Sequence, residues 1–417
     1  MTRRYEIAIA GCGPAGLAVA LLLERAGHRV TLVERFATPQ PLGSGLILQP
    51  TGLAVLRELG LADALIARGS RLDRLYGLGA ATGSVVLDVR YAALGPDAFG
   101  LGIHRGSLFE ALFAAVTARG IAVETGCELT DVEDAGGGRV SLALADGRKL
   151  GPFDLAIDAT GARSPLIDRA LRPVRQRPLA YGAVWANAPL AEGFDPHALE
   201  QRYHRASVMV GVLPIGRRPE DERLLASFFW SLKPAEHAQW QARGLDAWKA
   251  DVLRHWPQTA PMLETITSSE QLLLASYRHH TLPVPAGRGL AFIGDAAHST
   301  SPQLGQGANM GLLDAYALAV AVNEAADIAG ALERYAALRR FHVRLYQAAS
   351  RLFTPFYQSD SYVLPLLRDR LVPPLARLPG IDRQLALLVA GLYGDPLRAL
   401  KLGPAFPTKP AFASVRA

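Results

Sequence analysis

The chain is poor in cysteine, with Cys12 and Cys127 alone in 417 residues. Two widely spaced thiols supply neither a CxxC pair nor a metal-ligand pattern, so no metal site is expected. A chain of this length without a disulfide framework suits a reducing compartment, and the expected location is cytoplasmic. Long apolar runs are missing too. A spanning helix needs about 20 consecutive apolar residues. The one contender, from Arg3-Arg4 to Leu23, superficially resembles a signal peptide, but Glu6 and three glycines interrupt it. There is no low-complexity block and no internal repeat, which argues against solenoids and propellers. Charge of one sign is not blocked together either. The net charge is +6, yet arginines sit beside acids, as in Arg57-Glu58 and Glu333-Arg334. That describes a solvated surface that favours anionic cofactors, and no nucleic-acid partner is expected.

What is present is apolar sequence in short pieces, punctuated by glycine. Half the residues are hydrophobic and a fifth are charged, and the length implies two or three domains. Ile7–Ala10 reads as a strand. Gly11-Cys12-Gly13-Pro14-Ala15-Gly16 follows, then a Leu/Ala-rich helix over Leu17–Arg25 that Gly27 ends, then a strand over Val30–Val33 that closes on Glu34. Each part has a physical task. Gly11 allows the tight turn, Gly13 lets a pyrophosphate approach the backbone, and Gly16 lets helix and strand pack closely. The helix N-terminus offers N–H groups to phosphate. Glu34, roughly 20 residues on, can accept from ribose hydroxyls and would repel a 2′-phosphate. The candidate contacts to the adenosine and pyrophosphate are Gly11, Gly13, Pro14, Ala15, Gly16, Glu34 and the adjacent Arg35. This unit alone fits either FAD or NAD.

A second motif lies far downstream. The strand Leu290–Ile293 ends at Gly294-Asp295, and the run Ala296-Ala297-His298-Ser299-Thr300-Ser301-Pro302-Gln303-Leu304-Gly305-Gln306-Gly307-Ala308-Asn309 opens a helix from about Met310. Asp295 can accept from a polyol hydroxyl, and the helix start after Gly307 can stabilise negative charge on a ring.

Gly-Asp-Ala-Ala-His followed by Pro-x-x-Gly-Gln-Gly-Ala-Asn resembles the second FAD motif of class A flavoprotein monooxygenases, the para-hydroxybenzoate hydroxylase-like family. The resemblance implies that Asp295, beside Gly294, holds the ribityl chain. It places Gly307, Ala308 and Asn309 at the flavin pyrimidine edge, and Pro302 and Gly305 at the junction of ring and substrate. Gly43–Pro50, including Gly45, is similar to the family's loop beside the flavin, with a helix over Leu53–Leu61 behind it. His104-Arg105-x-x-Leu108 is similar to the helix start whose Arg, here Arg105, contacts the FAD phosphate or ribityl region. Glu128-Leu129 falls where a strand passes the adenine. One segment departs from the family's Asp-x-x-x-Gly-Ala-Asp-Gly pattern: Asp154-Leu-Ala-Ile-Asp158-Ala159-Thr160-Gly161 puts Thr160 where the second Asp belongs. Thr160 and Gly161 remain candidate FAD contacts, while the choice between NADH and NADPH as transient donor stays open. Pro39-Gln40-Pro41 stands where the family has an Arg after the ribose acid.

The implied fold class is α/β, a Rossmann-type FAD-binding domain with an inserted mixed β-sheet substrate domain and C-terminal helices. The FAD-binding domain is expected over 1–70, 101–178 and 286–330, the sheet domain over 71–100 and 179–285, and the helical region over 331–417. Alternating segments support the sheet: Ser84–Val89, Gly182–Asn187, Arg202–Leu213 and Leu224–Leu232, with a helical stretch over Pro234–Trp256. Tyr203, Trp230, Tyr277 and Pro302 are the candidate substrate contacts. No catalytic side chain is assigned, because the flavin carries the hard chemistry, and His298 reads as structural. Leu332, Tyr335, Leu338 and Phe341-His342 recur at helical spacing and suggest one packed face. Phe353–Leu375 is apolar and broken by prolines, which leaves a lid, a lipid-touching patch, core or a dimer contact open. Pro404–Ala417 reads as a loose tail.

The resemblance implies an NAD(P)H- and O2-dependent monooxygenase acting through a flavin C4a-hydroperoxide. Its substrate would be small and apolar or aromatic, its product formed by hydroxylation, epoxidation or Baeyer–Villiger insertion, and its state a monomer or homodimer. A flavin halogenase would show two Trp two residues apart, which this chain lacks. A reductase or dehydrogenase on the same fold is the alternative, encouraged by Ala159-Thr160-Gly161, and a flavin-binding sensor without turnover is the remote one.

Overall fold

A computed structural model describes residues 3–40, 43–218, 221–375, 378–404 and 406. Pro41 and nearly all of the expected tail lie outside them. The chain opens with β1 (Glu6–Ala10), α1 (Pro14–Arg25) and β2 (Arg29–Val33), then β3 (Gly45–Leu48), α2 (Pro50–Glu58) and α3 (Ala62–Arg68). It continues through β4 (Ser70–Leu72), β5 (Arg74–Gly79), β6 (Val85–Arg90), β7 (Gly100–His104), α4 (Arg105–Ala118) and β8 (Ala122–Glu124). A meander of β9 (Leu129–Gly136), β10 (Arg139–Leu144) and β11 (Lys149–Phe153) leads into β12 (Leu155–Asp158) and the short β13 (Arg177–Pro178).

β14 (Gly182–Pro189), β15 (Ala198–His204), β16 (Val208–Arg218) and β17 (Asp221–Leu232) form the large hairpins. The helices α5 (His237–Arg243), α6 (Leu245–His255) and α7 (Ala260–Glu264) follow, with β18 (Leu273–Ala275), β19 (Arg278–His279), β20 (Ala286–Gly287) and β21 (Leu290–Phe292). The rest is helical: α8 (Asp295–His298), α9 (Gly307–Glu324), α10 (Ile328–Tyr357), α11 (Val363–Leu375), α12 (Ile381–Val389) and α13 (Pro396–Ala399).

The first sheet runs β20-β21-β12-β1-β2-β8 and is parallel throughout except for β20 against β21. Its strands are short Ile/Val/Leu/Ala runs because both faces are covered. On one side Ile7, Ile9 and Leu32 meet Leu17 and Leu21 of α1, Leu108 and Leu112 of α4 and Leu312 of α9. On the other, Ala8, Ala10 and Val33 meet Val132, Val140 and Leu142 of the meander. Each leucine buried here is worth roughly 1.5–3 kcal/mol. A three-layer α/β/β unit results, with the C-terminal ends of β1, β2 and β12 opening on one edge, where ligands of such sheets bind.

The second sheet is mixed, ordered β18-β14-β17-β16-β15-β5-β6, with β15 and β5 parallel and its other pairs antiparallel. Side-chain alternation gives it two faces. Val184, Phe228 and Trp230 pack under α5–α7 on one, where they meet Trp248 of α6. Tyr203, Met209, Leu213, Ile215 and Phe229 form the other, which turns toward Ile47 of β3.

Two expectations are corrected. Arg202–Leu213 is not one strand: β15 ends at His204 and β16 begins at Val208, and Arg205 takes a left-handed φ of 56° to make the turn without a glycine. The packed face of α10 takes Leu332, Tyr335 and His342, while Phe341 is 65% exposed. One residue is about 100° of helix rotation, enough to carry Phe341 to the outside. Pro355 lies inside α10 rather than ending it, and the two cysteines are buried and free.

Candidate functional site

The glycine-rich turn sits at the C-terminal edge of β1. Gly11 has φ 103°, and a Cβ on it would stand 2.6 Å from the Ala159 carbonyl oxygen. A Cβ on Gly16 would stand 2.0 Å from the Gly11 carbonyl oxygen, so neither position tolerates a side chain. At Gly13, by contrast, a Cβ would meet no protein atom within 4 Å. That open side is where a pyrophosphate would pass. Gly13 caps α1 without a side-chain bond and Pro14 occupies N1, leaving the first-turn N–H groups of Ala15 and Gly16 for a ligand.

Glu34 follows β2 and is 8% exposed. Its carboxylate accepts from the Cys12 N–H at 2.9 Å and the Phe36 N–H at 3.1 Å. Those bonds fix its aim and leave lone pairs free for a further donor. Burial, reinforced by Glu34, pushes the Cys12 thiol up to about 12, so it stays protonated and inert. Arg35 turns outward with its guanidinium 4.6 Å from the Phe36 ring centroid. Leu129 starts β9 and is buried.

Beside this turn, β12 ends at Asp158, which is fully buried. Asp158 accepts from the Thr160 N–H at 2.9 Å, the Thr160 hydroxyl at 2.6 Å and the Ser164 hydroxyl. Burial raises its pKa while those three donors pull it back. Thr160 is thereby committed to shaping its own loop, and Gly161 leaves open space beside it.

The downstream motif closes the site from the other side. Ala15 of α1 touches both Gly294 and Gly311 closely: Cβ atoms built on those glycines would lie 3.5 and 3.2 Å from the Ala15 Cβ. The two motifs, distant in sequence, thus form one wall. Asp295 reaches solvent at the bottom of a cleft crowded by protein. That crowding raises its pKa, and His298 and Arg105 oppose the shift. A Cβ on Gly307 would lie 3.7 Å from Asp295 Oδ1, so the carboxylate sits at the N-terminus of α9. Gly305 takes a left-handed φ of 60° and the helix carries no side-chain cap, leaving the N–H groups of Gly307 and Ala308 open.

Arg105, at the start of α4, faces the same cleft. Its charge acts on Asp295 and Tyr277, and its guanidinium borders Gly43. Asn309 is fully buried and works as a staple. Its Oδ1 accepts from the Gln49 N–H at 2.8 Å, and its Nδ2 donates to the Ile47 and Gly305 carbonyls at 3.0 and 2.9 Å. It ties the β3 loop to the start of α9.

Two supporting networks have no local signature. Asp314, on α9, is fully buried and accepts from the Gly294 N–H at 2.8 Å, from His298 Nε2 at 2.5 Å and from Arg339 Nε at 2.6 Å. Burial would push Asp314 up, but His298 and Arg339 outweigh it and hold the carboxylate below its ordinary value. The second network joins the mixed sheet to the paired strands β3 and β7. Ser44 bonds the Asn187 side chain and shares a 2.6 Å bond with Ser227, and the Asn187 amide lies 3.1 Å from His104 Nε2. Burial, assisted by Arg218, pushes His104 down to about 4.

The substrate candidates separate. Tyr277 lies beside Arg105 and accepts from Trp185 Nε1 at 3.1 Å, with burial raising its hydroxyl to about 12. Trp185 packs on Phe229 at 4.6 Å between ring centroids. Pro302 starts the turn that leads to Gly305. Tyr203 shares the β3-facing side of the sheet but is only 2% exposed, wedged against Gly77 and Tyr357. Trp230 is not brought to that side. It falls on the opposite parity of β17 and packs near His255 under the helices. Trp185 and Phe229 instead carry the aromatic surface.

The comparisons agree with this geometry. The model of the family described as FAD binding domain matches residues 4–347. A 6-hydroxynicotinate 3-monooxygenase of Pseudomonas fluorescens is 27% identical over 342 residues, covering 78% of this chain and 84% of the relative. An aurachin C monooxygenase/isomerase of Stigmatella aurantiaca is 27% identical over 406 residues, covering 95% and 100%. Among solved structures, a variant of 2-methyl-3-hydroxypyridine-5-carboxylic acid oxygenase superposes with TM-score 0.77 at 21% identity, covering 95% of this chain and 98% of that one. Klebsiella pneumoniae HpxO, complexed with FAD and uric acid, superposes with TM-score 0.75 at 21% identity, covering 93% and 97%. The chain belongs to the FAD binding domain family and is an FAD-dependent monooxygenase of the class A, para-hydroxybenzoate hydroxylase-like kind.

Proposed function

We propose that this monooxygenase hydroxylates a small aromatic substrate held between the turn at Pro302–Gly307 and the face of the mixed sheet that carries Trp185 and Phe229. The observation that carries the reading is the pairing of that aromatic face with the charged cleft of Arg105 and Asp295. Flat rings favour aromatic walls, and the polar cleft beside them suits a cofactor's ribityl and phosphate groups. The relatives named above act on 6-hydroxynicotinate and aurachin C, which supports an aromatic substrate here.

FAD, when bound, takes electrons from NADH or NADPH and activates O2 for transfer to the substrate. The chain's own residues do the rest. Ala15 and Gly16 offer N–H groups to the pyrophosphate, and Glu34 accepts from the ribose. Asp295 and Arg105 hold the ribityl region. Gly307 and Ala308 direct N–H groups and the positive end of α9 at the ring's pyrimidine edge, where negative charge needs stabilising. Trp185, Phe229 and Tyr277 exclude water. The reading includes a monomer or homodimer.

The test begins with the flavin spectrum of purified protein. NAD(P)H oxidation is then followed with 6-hydroxynicotinate and 4-hydroxybenzoate under 18O2. One labelled oxygen in an aromatic product is the expected outcome. Reduced flavin that stays stable in air, with no label in any product, refutes the reading. Asp295→Ala should lose FAD on gel filtration, and unchanged occupancy would remove its assigned role.

A further inference from the structure

Seven of the ten exposed large hydrophobic side chains of the described residues fall between Leu352 and Leu378. Most belong to α11, and that helix is inverted. Val363, Leu366, Leu367 and Leu371 recur at three- and four-residue intervals, so they share one face. They are 62%, 57%, 43% and 52% exposed. Arg368 points inward instead, at 2% exposure. Its guanidinium donates to the Phe356 carbonyl at 2.9 Å and the Arg205 carbonyl at 3.1 Å, and lies 5.2 and 5.3 Å from the ring centroids of Tyr203 and Tyr357. A helix that faces water does the opposite with its leucines and its arginine. The inward contacts fix the rotation of α11, so the apolar face is held outward by the fold.

The charge around that face is mainly positive, and the one acid of α11, Asp369, is paired with Arg368. The outward side of α10 presents Arg340, Phe341, Arg344, Arg351 and Leu352, and α11 adds Arg370. No Asp or Glu occurs between Glu333 and Asp360. Among the described residues Arg340, Arg344 and Arg370 have no carboxylate partner.

We infer that the outer faces of α10 and α11 dock the protein on an anionic lipid surface. The leucines enter the acyl boundary and the arginines meet the headgroups, as in interfacial helices. A second copy of this chain is the weaker occupant, because a two-fold contact would bring two patches of the same predominant charge together. Spanning is not involved, since no helix of the described residues is long and apolar enough to cross a membrane. The inference is independent of the substrate reading above.

FAD-loaded full-length protein, sedimented with large vesicles, tests it. Vesicles of phosphatidylcholine alone are compared with vesicles holding about 30% phosphatidylglycerol, at about 0.1 and 0.5 M salt. The expected result is binding to the anionic vesicles at low salt, weakened at least about tenfold on neutral vesicles and at high salt. Leu366→Glu with Leu367→Glu should abolish it while flavin content and melting temperature hold. Arg344→Glu should weaken it with the leucines intact. Wild-type protein that stays in solution, or binding that ignores lipid charge and salt, overturns the inference. So does a dimer in light scattering that the double leucine variant splits, since the occupant is then a second copy.

Discussion

Asp314→Asn is the sharpest perturbation of the cofactor site that touches no cofactor contact. The wild-type carboxylate is fully buried and neutralises Arg339, itself 2% exposed, while holding the Gly294 N–H and His298. The amide keeps the shape and removes the charge. Arg339 then keeps a buried positive charge without a counter-ion, and one partner's removal from such a pair costs about 3–5 kcal/mol. That is a large part of a typical stability of roughly 5–15 kcal/mol. Because the Gly294 N–H shares the same carboxylate, FAD release should accompany the loss. Urea unfolding followed by tryptophan and flavin fluorescence measures both. The control is Asp314→Asn with Arg339→Met, which removes both charges and should be less destabilised than the sum of the singles by about 1–3 kcal/mol. The pH dependence has a defined sign. The folded pKa of Asp314 is depressed, so its contribution is complete above the unfolded carboxylate value of about 3.9 and is lost as pH falls through the folded value. A single variant that loses under about 1 kcal/mol, or a strictly additive double, refutes the account.

Three further outcomes follow from the site. Gly16→Ala puts a methyl group 2.0 Å from the Gly11 carbonyl oxygen. It should cost at least about 1–3 kcal/mol and yield protein that elutes without flavin; wild-type melting and colour would show that the turn yields freely. Asn309→Leu breaks three bonds between the β3 loop and α9 and strands their backbone groups, at about 1–3 kcal/mol for each group left unpaired. Stopped-flow apoflavoprotein formation should show faster FAD release, and an unchanged rate would deny Asn309 its stapling role. His104 is held neutral in the fold, with its pKa near 4 against about 6.5 unfolded. Its contribution is present above about 6.5 and lost as pH falls toward the folded value. His104→Gln should flatten that acid limb in a melting-temperature profile, and an identical profile would rule it out.

The parts legible in the sequence were those whose physics is local. Gly11 and Gly16 report a turn that must bend and pack closely, and Glu34 is the buried carboxylate that braces it through the Cys12 N–H. The Gly294–Asn309 run carries a strand end, a turn and a helix start within one short window. Asp314, Arg339, Ser44 and Asn187 had no such signature, because each gains its role from a partner on another element. Trp230 illustrates the parity problem. Aromatic composition announced a wall, but only the pairing of β17 with β14 and β16 decides that Phe229 faces the β3 loop and Trp230 faces α6. Arg205 shows the same limit in a turn, where a non-glycine residue takes a left-handed conformation that no local residue pattern announces.

The position of β21 also sets the order in which this protein can be made. β12 needs β1 on one flank and β21 on the other, with Ala156 opposite Leu290 and Asp158 opposite Phe292. A nascent chain therefore exposes its glycine-rich turn early but cannot seat it until Leu290–Phe292, and then α9, have left the ribosome. The hairpins β15–β16 and β16–β17 emerge in between and close by short-range pairing. Contacts of such different span form at very different speeds. Until Leu290–Phe292 arrives, β12 has an unpaired edge, and unpaired strand edges are what make partly folded chains prone to aggregate.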